Sequence, residues 1–536
     1  MEAARGPPSV AWRSKTIRTA RSRNSGVNFL GMIRFSFRKL GTKPRALQVS
    51  AGVLMMLFMI LVIMTGSQVI PLWLTGVLVT LVLGAVVVVI TNVSGRPLPW
   101  WMRQRFRAWR RRRQGQDSFV AAGPSAKELA ADEEAEEAAI EAGVPAPVRL
   151  RLPGEANELR LYTAADGQCV IWDPVLKTAT LVCRVAPHGF RMAEPEDQGD
   201  IITNWASMID SLYSEDGVIA VQVSDTITTA SASKIRAAYE AQVETATENG
   251  KQAGEALSPL LHSDYLQLLS GDRAQVQHDN LAGITISQPK IRDQIKSAGG
   301  GIAGMLVVVA RMGQLFEDLL RECSVDVQRW LDVDELATVV RRGFVPDEAV
   351  AITDGKVSVS AATAGPMGVD VEWDKLRVDG AWHRVMEISQ WPTRPEKPGF
   401  MRFLNGADFP HVVTQVIRPQ GTAAGMKHVQ DRLNDQHSAA AIRGELGQAE
   451  KLSDMALDDD LVRTGAELLA GHGMAQFTGL IVISGSTNDE LETNTKRMIS
   501  GATRAGCELR TLFGQQWSGF LSSAFPLGRA LIKAKG

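Results

Sequence analysis

No charged residue lies between Arg45 and Arg96, a stretch of 50 residues in a chain of 536. It is too long for one buried core helix, so it constrains everything that follows. It holds two apolar runs, 46–64 and 70–90. Each is about 20 residues, enough to cross ~30 Å of hydrocarbon at ~1.5 Å per residue. Between them Thr65-Gly66-Ser67-Gln68, followed by Pro71, breaks the helix. The expected element is a tight two-helix transmembrane hairpin over 46–95.

Charge orients that element. Residues 1–113 hold 19 Lys/Arg and one acid, Glu2, a balance of +18, whereas 114–536 hold 39 basic and 58 acidic residues, or −19. Eleven basic residues precede the first run, eight follow the second, and none lies between. Positive flanks stay in the cytoplasm. The expectation is a multi-pass plasma-membrane protein with both termini cytoplasmic. A cleaved signal peptide does not fit a basic lead of about 45 residues followed by two apolar runs.

Segment 98–113 interleaves Trp100, Trp101, Phe106 and Trp109 with Arg103, Arg105, Arg110, Arg111, Arg112 and Arg113. Aromatics favour the membrane interface and arginines attract anionic lipid, at about 1 kcal/mol each. The first reading is a helix lying on the lipid bilayer. The second is nonspecific DNA contact through 98–113 or the basic tail, since the same interleaving suits phosphates and bases. Residues 114–147 turn acidic and Ala-rich, with Glu128, Asp132, Glu133, Glu134, Glu136, Glu137 and Glu141 before Pro145 and Pro147. They read as a solvated helical spacer that lifts the next domain off the bilayer.

The chain thus divides into a basic cytoplasmic tail (1–45), the hairpin (46–95), an Arg/Trp-rich interfacial segment with acidic linker (96–147), and cytoplasmic α+β subdomains at 148–345 and 346–536. In the first subdomain alternation predicts strands at 158–163, 169–173, 179–185 and 218–223, with helices at 201–212 and 231–248. Residues 249–345 read as mostly helical, with helices at 302–320 and 335–342 and a strand at 325–330. In the second, strands fit 369–373, 385–390, 412–418, 479–484 and 508–514, and helices fit 423–446, 457–472 and 489–505. The fold class is α+β: a transmembrane helical hairpin, then a cytoplasmic domain of mixed sheets and helices in two diverged ferredoxin-like halves.

Motifs for chemistry fail on inspection. Gly299 to Gly304 has P-loop glycine spacing, but Met305 and Leu306 stand where Lys and Ser/Thr are required. The same glycines follow a charged, helix-like segment rather than a strand, so the dinucleotide context fails too. No H-E-x-x-H, C-x-x-C or G-x-S-x-G occurs. Cys169 and Cys183 could face one another on adjacent strands, yet a cytoplasmic setting favours free thiols. Asp458-Asp459-Asp460 suits a helix N-terminus. Neither a catalytic residue nor a cofactor is expected.

The last third carries a resemblance. It reads HRVMEISQWPTRPEKPGFMRFLNG (383–406), FTGLIVISGSTNDELETNTKRM (477–498) and LRTLFGQQWSGFLSSAFPLGR (509–529). This resembles the N-terminal, non-ATPase region of the cytoplasmic ATPases of conjugative type IV secretion. In that family a strand runs into a Trp/Tyr-Pro, here Trp391-Pro392. An aromatic then sits beside a Pro-Leu-Gly turn, here Phe525, Pro526, Leu527 and Gly528. The ATPase domain that follows in the family has no counterpart before Gly536. The apolar hairpin is similar to the short two-span subunit found beside those ATPases, and the whole layout looks like an actinobacterial family of conjugation-associated membrane proteins. The long basic N-terminus departs from that pattern.

The resemblance implies a membrane-anchored docking subunit of a type IV-like secretion machine, working with a separate ATPase and other membrane subunits, and forming a homo-oligomer. Trp517, Phe520, Phe525, Pro526, Leu527 and Gly528 are the candidate docking residues. Their aromatics either form a partner surface or pack in the protein's own core. A type VII secretion component and a membrane-tethered transferase-like enzyme are the alternatives.

Overall fold

The computed structural model describes residues 92–93, 96–113, 117–121, 123–187, 193–230, 259–270, 275–353, 356–392, 399–420, 422–445, 461–466 and 474–529, with a few single positions between them. The expected hairpin at 46–95 falls almost wholly outside these residues. Among the described residues no helix is long and apolar enough to cross a membrane.

Apart from a two-residue antiparallel pair, Asn92–Val93 with Arg96–Pro97, the strands of the first half are β1 (Ser118–Val120), β2 (Val148–Arg149), β3 (Arg160–Thr163), β4 (Cys169–Asp173), β5 (Thr178–Pro187), β6 (Val218–Ala230), β7 (Gln275–Ser287) and β8 (Val325–Trp330). Those of the second are β9 (Gly368–Val371), β10 (Leu376–Val378), β11 (Ala381–Gln390), β12 (His411–Gln420), β13 (Met474–Gly485) and β14 (Glu508–Thr511). All fourteen numbered strands belong to a single sheet in the order β1-β9-β10-β11-β13-β12-β6-β7-β5-β4-β3-β2, with β8 on β5 and β14 on β11. Every pairing in it is antiparallel. This corrects the expected fold class. The chain does not split into separate halves with sheets of their own, because β6 and β12 pair from His411↔Ile227 to Ile417↔Val221 and make the ladder continuous.

Within the one sheet a connection pattern occurs twice. The first unit runs β5, helix α3 (Pro195–Ser214), β6, β7, helix α4 (Gly301–Glu322), β8. The second runs β11, a short helix at Arg402–Asn405, β12, β13, helix α7 (Asn488–Arg504), β14. In both, the first strand lies between the third and the fourth, and the second strand lies beyond the third. The units meet strand to strand at β6–β12. Each long hairpin, β6–β7 and β12–β13, carries an insertion containing a helix, Pro259–Ser270 in one and α6 (Thr422–Glu445) in the other.

Period-two alternation sorts the side chains onto two faces. Leu181, Cys183 and Val185 of β5 point to the outer face, as do Ile481 and Ile483 of β13, where α3, α4 and α7 cover them. Val182, Leu480 and Val482 point to the inner face. There the helix α5 (Val333–Phe344) and the helix α8 (Gln516–Ser523) fill the space. The sheet coils around them, as twisted antiparallel sheets do. Its ends come together where Gly365, ahead of β9, packs on the Arg151 carbonyl beside β2.

Two further expectations are extended. To the helices that do occupy most of the described residues of 249–345, the structure adds β7, a 13-residue strand at the centre of the sheet. Strand β6 continues to Ala230, beyond the predicted end at 223. Gly299, Gly300 and Gly301 all have positive φ and form the turn into α4, a conformation costly for residues with a Cβ.

Candidate interfacial helix and aromatic crossing

Residues 98–113 form a single helix, α1 (Leu98–Arg113). Pro99 sits in its first turn, where no N–H is needed, and Arg110 to Arg113 complement the carbonyl end of its dipole. One face is docked. The Trp101 ring lies 5.1 Å from Phe513 and 5.9 Å from Trp373, and Arg105 sits 5.1 Å over the Trp373 ring. Gln104 is buried, and Arg111 donates to the Gly514 carbonyl at 2.6 Å. Such ring and cation–π contacts contribute about 0.5–1.5 kcal/mol each. Arg111 also approaches Asp117, whose carboxyl burial pushes above its usual range while Arg111 and Arg112 pull the other way.

The other face is open. Met102, Phe106 and Trp109 are 59%, 61% and 50% exposed. Phe106 stacks on Trp109 at 5.7 Å, and Arg113 caps the Trp109 ring at 4.4 Å. Arg103, Arg105, Arg110, Arg112 and Arg113 are exposed, and Arg111 is half-buried. The predicted interfacial set therefore divides. Trp101 and Arg111 turn toward the protein, and Arg105, though exposed, lies over Trp373. Arg103, Trp109, Arg110, Arg112 and Arg113 face outward. Trp100 lies in the helix, but its side chain is outside the described residues. Helical spacing explains the division: 102, 106, 109 and 113 share one stripe, and 101, 104, 108 and 111 another. Sequence reasoning passed over Met102, the exposed apolar residue that completes the outer stripe.

The acidic linker is not a free spacer. Helix α2 (Ala126–Glu141) buries Ala135 and Ala139 and begins with a capping box of Ser125 and Glu128. Those Ser125 hydrogen bonds, with one from Asn157, hold the Glu128 carboxyl down to about 2. The buried Arg149 on β2 donates to Asp132 at 2.6 Å, and Arg160 on β3 donates to the Ala131 carbonyl at 2.7 Å. These contacts tie α2 to the β2–β3 end of the sheet. Glu133, Glu134, Glu136, Glu137 and Glu141 remain exposed.

The C-terminal aromatic turn is interior. Phe520, Phe525 and Leu527 are essentially fully buried, Pro526 is buried, and Trp517 and Gly528 are half-buried. Phe525 packs 4.8 Å from Phe344 and 5.5 Å from Phe520, and Trp517 stacks on Phe520 at 6.2 Å. Of the two roles weighed for this turn, the geometry matches packing in the protein's own core. The turn also crosses between units. The Gln222 amide on β6 donates to the carbonyls of Ser522 and Phe525, at 3.3 and 3.0 Å, and the Thr414 hydroxyl on β12 donates to Ser523 at 2.6 Å. Gly528, at φ 70°, lies against Thr180 and Thr285, and Arg529 pairs with the buried Asp173 at 2.7 Å.

The arm after the first unit crosses the other way. The carbonyl of Phe344 meets the His383 Nε2 at 3.0 Å, while Nδ1 meets Ser484 at 2.9 Å. Burial pushes this imidazole down to about 4, against a smaller raising effect of the bond to Phe344. Cys169 and Cys183 do not face one another, since Cys169 points to the inner core and Cys183 to the outer. Burial pushes the Cys183 thiol up to about 12. Among the described residues no group of His, Cys, Asp and Glu could hold a metal ion. No protein-family model matches the chain, and no curated protein matches it.

Proposed function

We propose that this chain is a membrane-anchored structural and docking subunit of a type IV-like, conjugative secretion machine that works with a separate ATPase. The observation that carries the membrane part is the two-sided α1 helix. It clamps the sheet domain with Trp101 and Arg111 and leaves Met102, Phe106 and Trp109 exposed among arginines. It directly follows the charge-free apolar stretch. Four outward arginines at about 1 kcal/mol each make an anionic leaflet the natural surface for that face. The secretion part rests on the resemblance of 383–529. The buried aromatic turn removes one docking surface and shifts attention to the exposed faces of α1 and α2.

The test is purification of the tagged full chain in mild detergent, with mass spectrometry of what accompanies it. A P-loop ATPase and envelope subunits are the expected companions. Recovery with type VII components redirects the assignment to that system, and recovery alone as a monomer ends the docking reading.

A further inference from the structure

The loop that α1 grips runs directly into the segment that crosses the sheet. Trp101 and Arg111 hold Phe513 and Gly514. Two residues later the buried Gln516 locks onto β11, accepting from the Val385 N–H at 2.8 Å and donating to the Leu512 carbonyl at 2.9 Å. Helix α8 then leads to the carbonyls held by Gln222 and Thr414, and the segment ends on Asp173 of β4 through Arg529. One covalent run, Thr511–Arg529, is thus held at one end by the interfacial helix and at the other by the first unit.

What it covers is the seam between the units. On the inner face the β6–β12 seam interleaves the polar Gln222, Ser224 and Thr414 with two aliphatic side chains, Val412 and Val416. The Ser224 hydroxyl is buried with no hydrogen-bond partner among the described residues. Such a mixed seam gains less from apolar burial than an all-aliphatic one, and its buried donors depend on whatever satisfies them. Here the crossing segment supplies three of those acceptors, the carbonyls of Ser522, Ser523 and Phe525.

We propose that Thr511–Arg529 is a strap that couples the seating of α1 to the closure of the seam between the two units. With α1 seated on Phe513, the strap lies drawn across Gln222 and Thr414. With α1 lifted away, the strap loosens and the seam loses its acceptors. Contact of the outer α1 face with lipid, in the reading above, is the input that sets the position of α1. The coupling itself is a property of the chain alone. Coupling between two sites is reciprocal, so loosening the seam must also loosen α1.

The experiment is amide hydrogen exchange on the full chain in phosphatidylglycerol nanodiscs, read by mass spectrometry. Trp101→Ala is expected to speed exchange in β6 and β12 about fivefold or more, and Gln222→Ala to do the same in α1. Trp101→Phe, which keeps a ring against Phe513, should restore the original protection. Phe513→Leu provides a milder loss of the same contact if Trp101→Ala does not fold. The outer-face helix α4 is the internal reference and should not change. Effects confined to the neighbours of each substituted residue would overturn the proposal. Capture of an ATPase plays no part in the readout, so failure of the secretion reading and failure of the strap are separately visible.

Discussion

The two units share a connection order but bury opposite charges. In the first, a single carboxylate, Asp279, serves two guanidiniums: Arg184 at 2.7 Å and Arg342 at 3.1 Å. Burial pushes the Arg342 guanidinium below its ordinary range, and Asp279 only partly offsets it. In the second, a single guanidinium, Arg384, meets two carboxylates, Asp374 at 2.8 Å and Glu492 at 2.7 Å. There too burial acts to lower it, yet the two acids hold it above its ordinary range. The aliphatic alternation that builds the sheet is common to both units, whereas the polar chemistry differs. The lesson is that apolar pattern sets this topology, and the buried ions are local solutions to different neighbours.

The arms that leave each unit break the comparison most severely. Phe525→Asp inserts a carboxylate between Phe344 and Phe520. A loss of about 5 kcal/mol or more is expected, enough to abolish cooperative melting by circular dichroism. A soluble, folded variant would show that the turn is not core.

The ion clusters should respond asymmetrically. Asp279→Asn strands two guanidiniums and should cost about 3–5 kcal/mol. Glu492→Gln leaves Asp374 in place on a partly exposed pair and should cost only about 1 kcal/mol. Equal losses in denaturant titrations would remove the distinction between the units.

His383 should make one unit acid-sensitive. The fold keeps it neutral to about pH 4, while the unfolded chain takes up a proton near 6.5. Its neutral form therefore stabilises the fold fully above pH 6.5. That contribution is lost as pH falls toward 4, up to about 3 kcal/mol. The Thr180–Thr285 pair at 3.1 Å in the first unit has no such group. Thr180→Val should cost about 1 kcal/mol independently of pH. A flat stability profile for wild type between pH 7 and 4 contradicts the buried neutral imidazole.

Gly343→Ala sharpens the contrast between the two arms. A Cβ there runs into the Phe525 ring, so a loss of about 1–3 kcal/mol is expected. The residue before Phe525, Ala524, already carries a Cβ, and Ala524→Gly should cost only about 0.5–1 kcal/mol. Thermal melts of both variants check the order. The smallest effect on stability belongs to the exposed helix face. Trp109→Glu should change it by about 0.5 kcal/mol or less while weakening attachment to anionic vesicles. Unchanged attachment would remove the outer stripe from the lipid reading.

Much of the secondary structure was readable because it follows local periodicity. The α4 run from Ile302, the β11 run MEIS and the β13 run GLIVIS are apolar at spacings that admit one reading each. Strand β7 was not readable. Its start, Gln275-Val276-Gln277-His278-Asp279-Asn280, looks polar because Asp279 is matched by Arg184 and Arg342, which lie far away in sequence. The division of α1 was half readable. Its interleaved aromatics and arginines announced an interfacial helix, but only Trp373 and Phe513 decided which residues turn inward.

By itself, then, the sequence determined the apolar stretch before Arg96, the charge reversal near residue 114, and the runs that become helices and strands. These depend on composition and on neighbours within a few residues. The tertiary structure decided that one sheet joins the two units, that α2 is docked rather than free, and that the aromatic turn is core rather than surface. Each of those depends on pairs such as Gln222 with Phe525, Arg149 with Asp132 and Phe344 with Phe525. Such pairs form only when distant segments fold onto the same face, and no local pattern encodes that meeting.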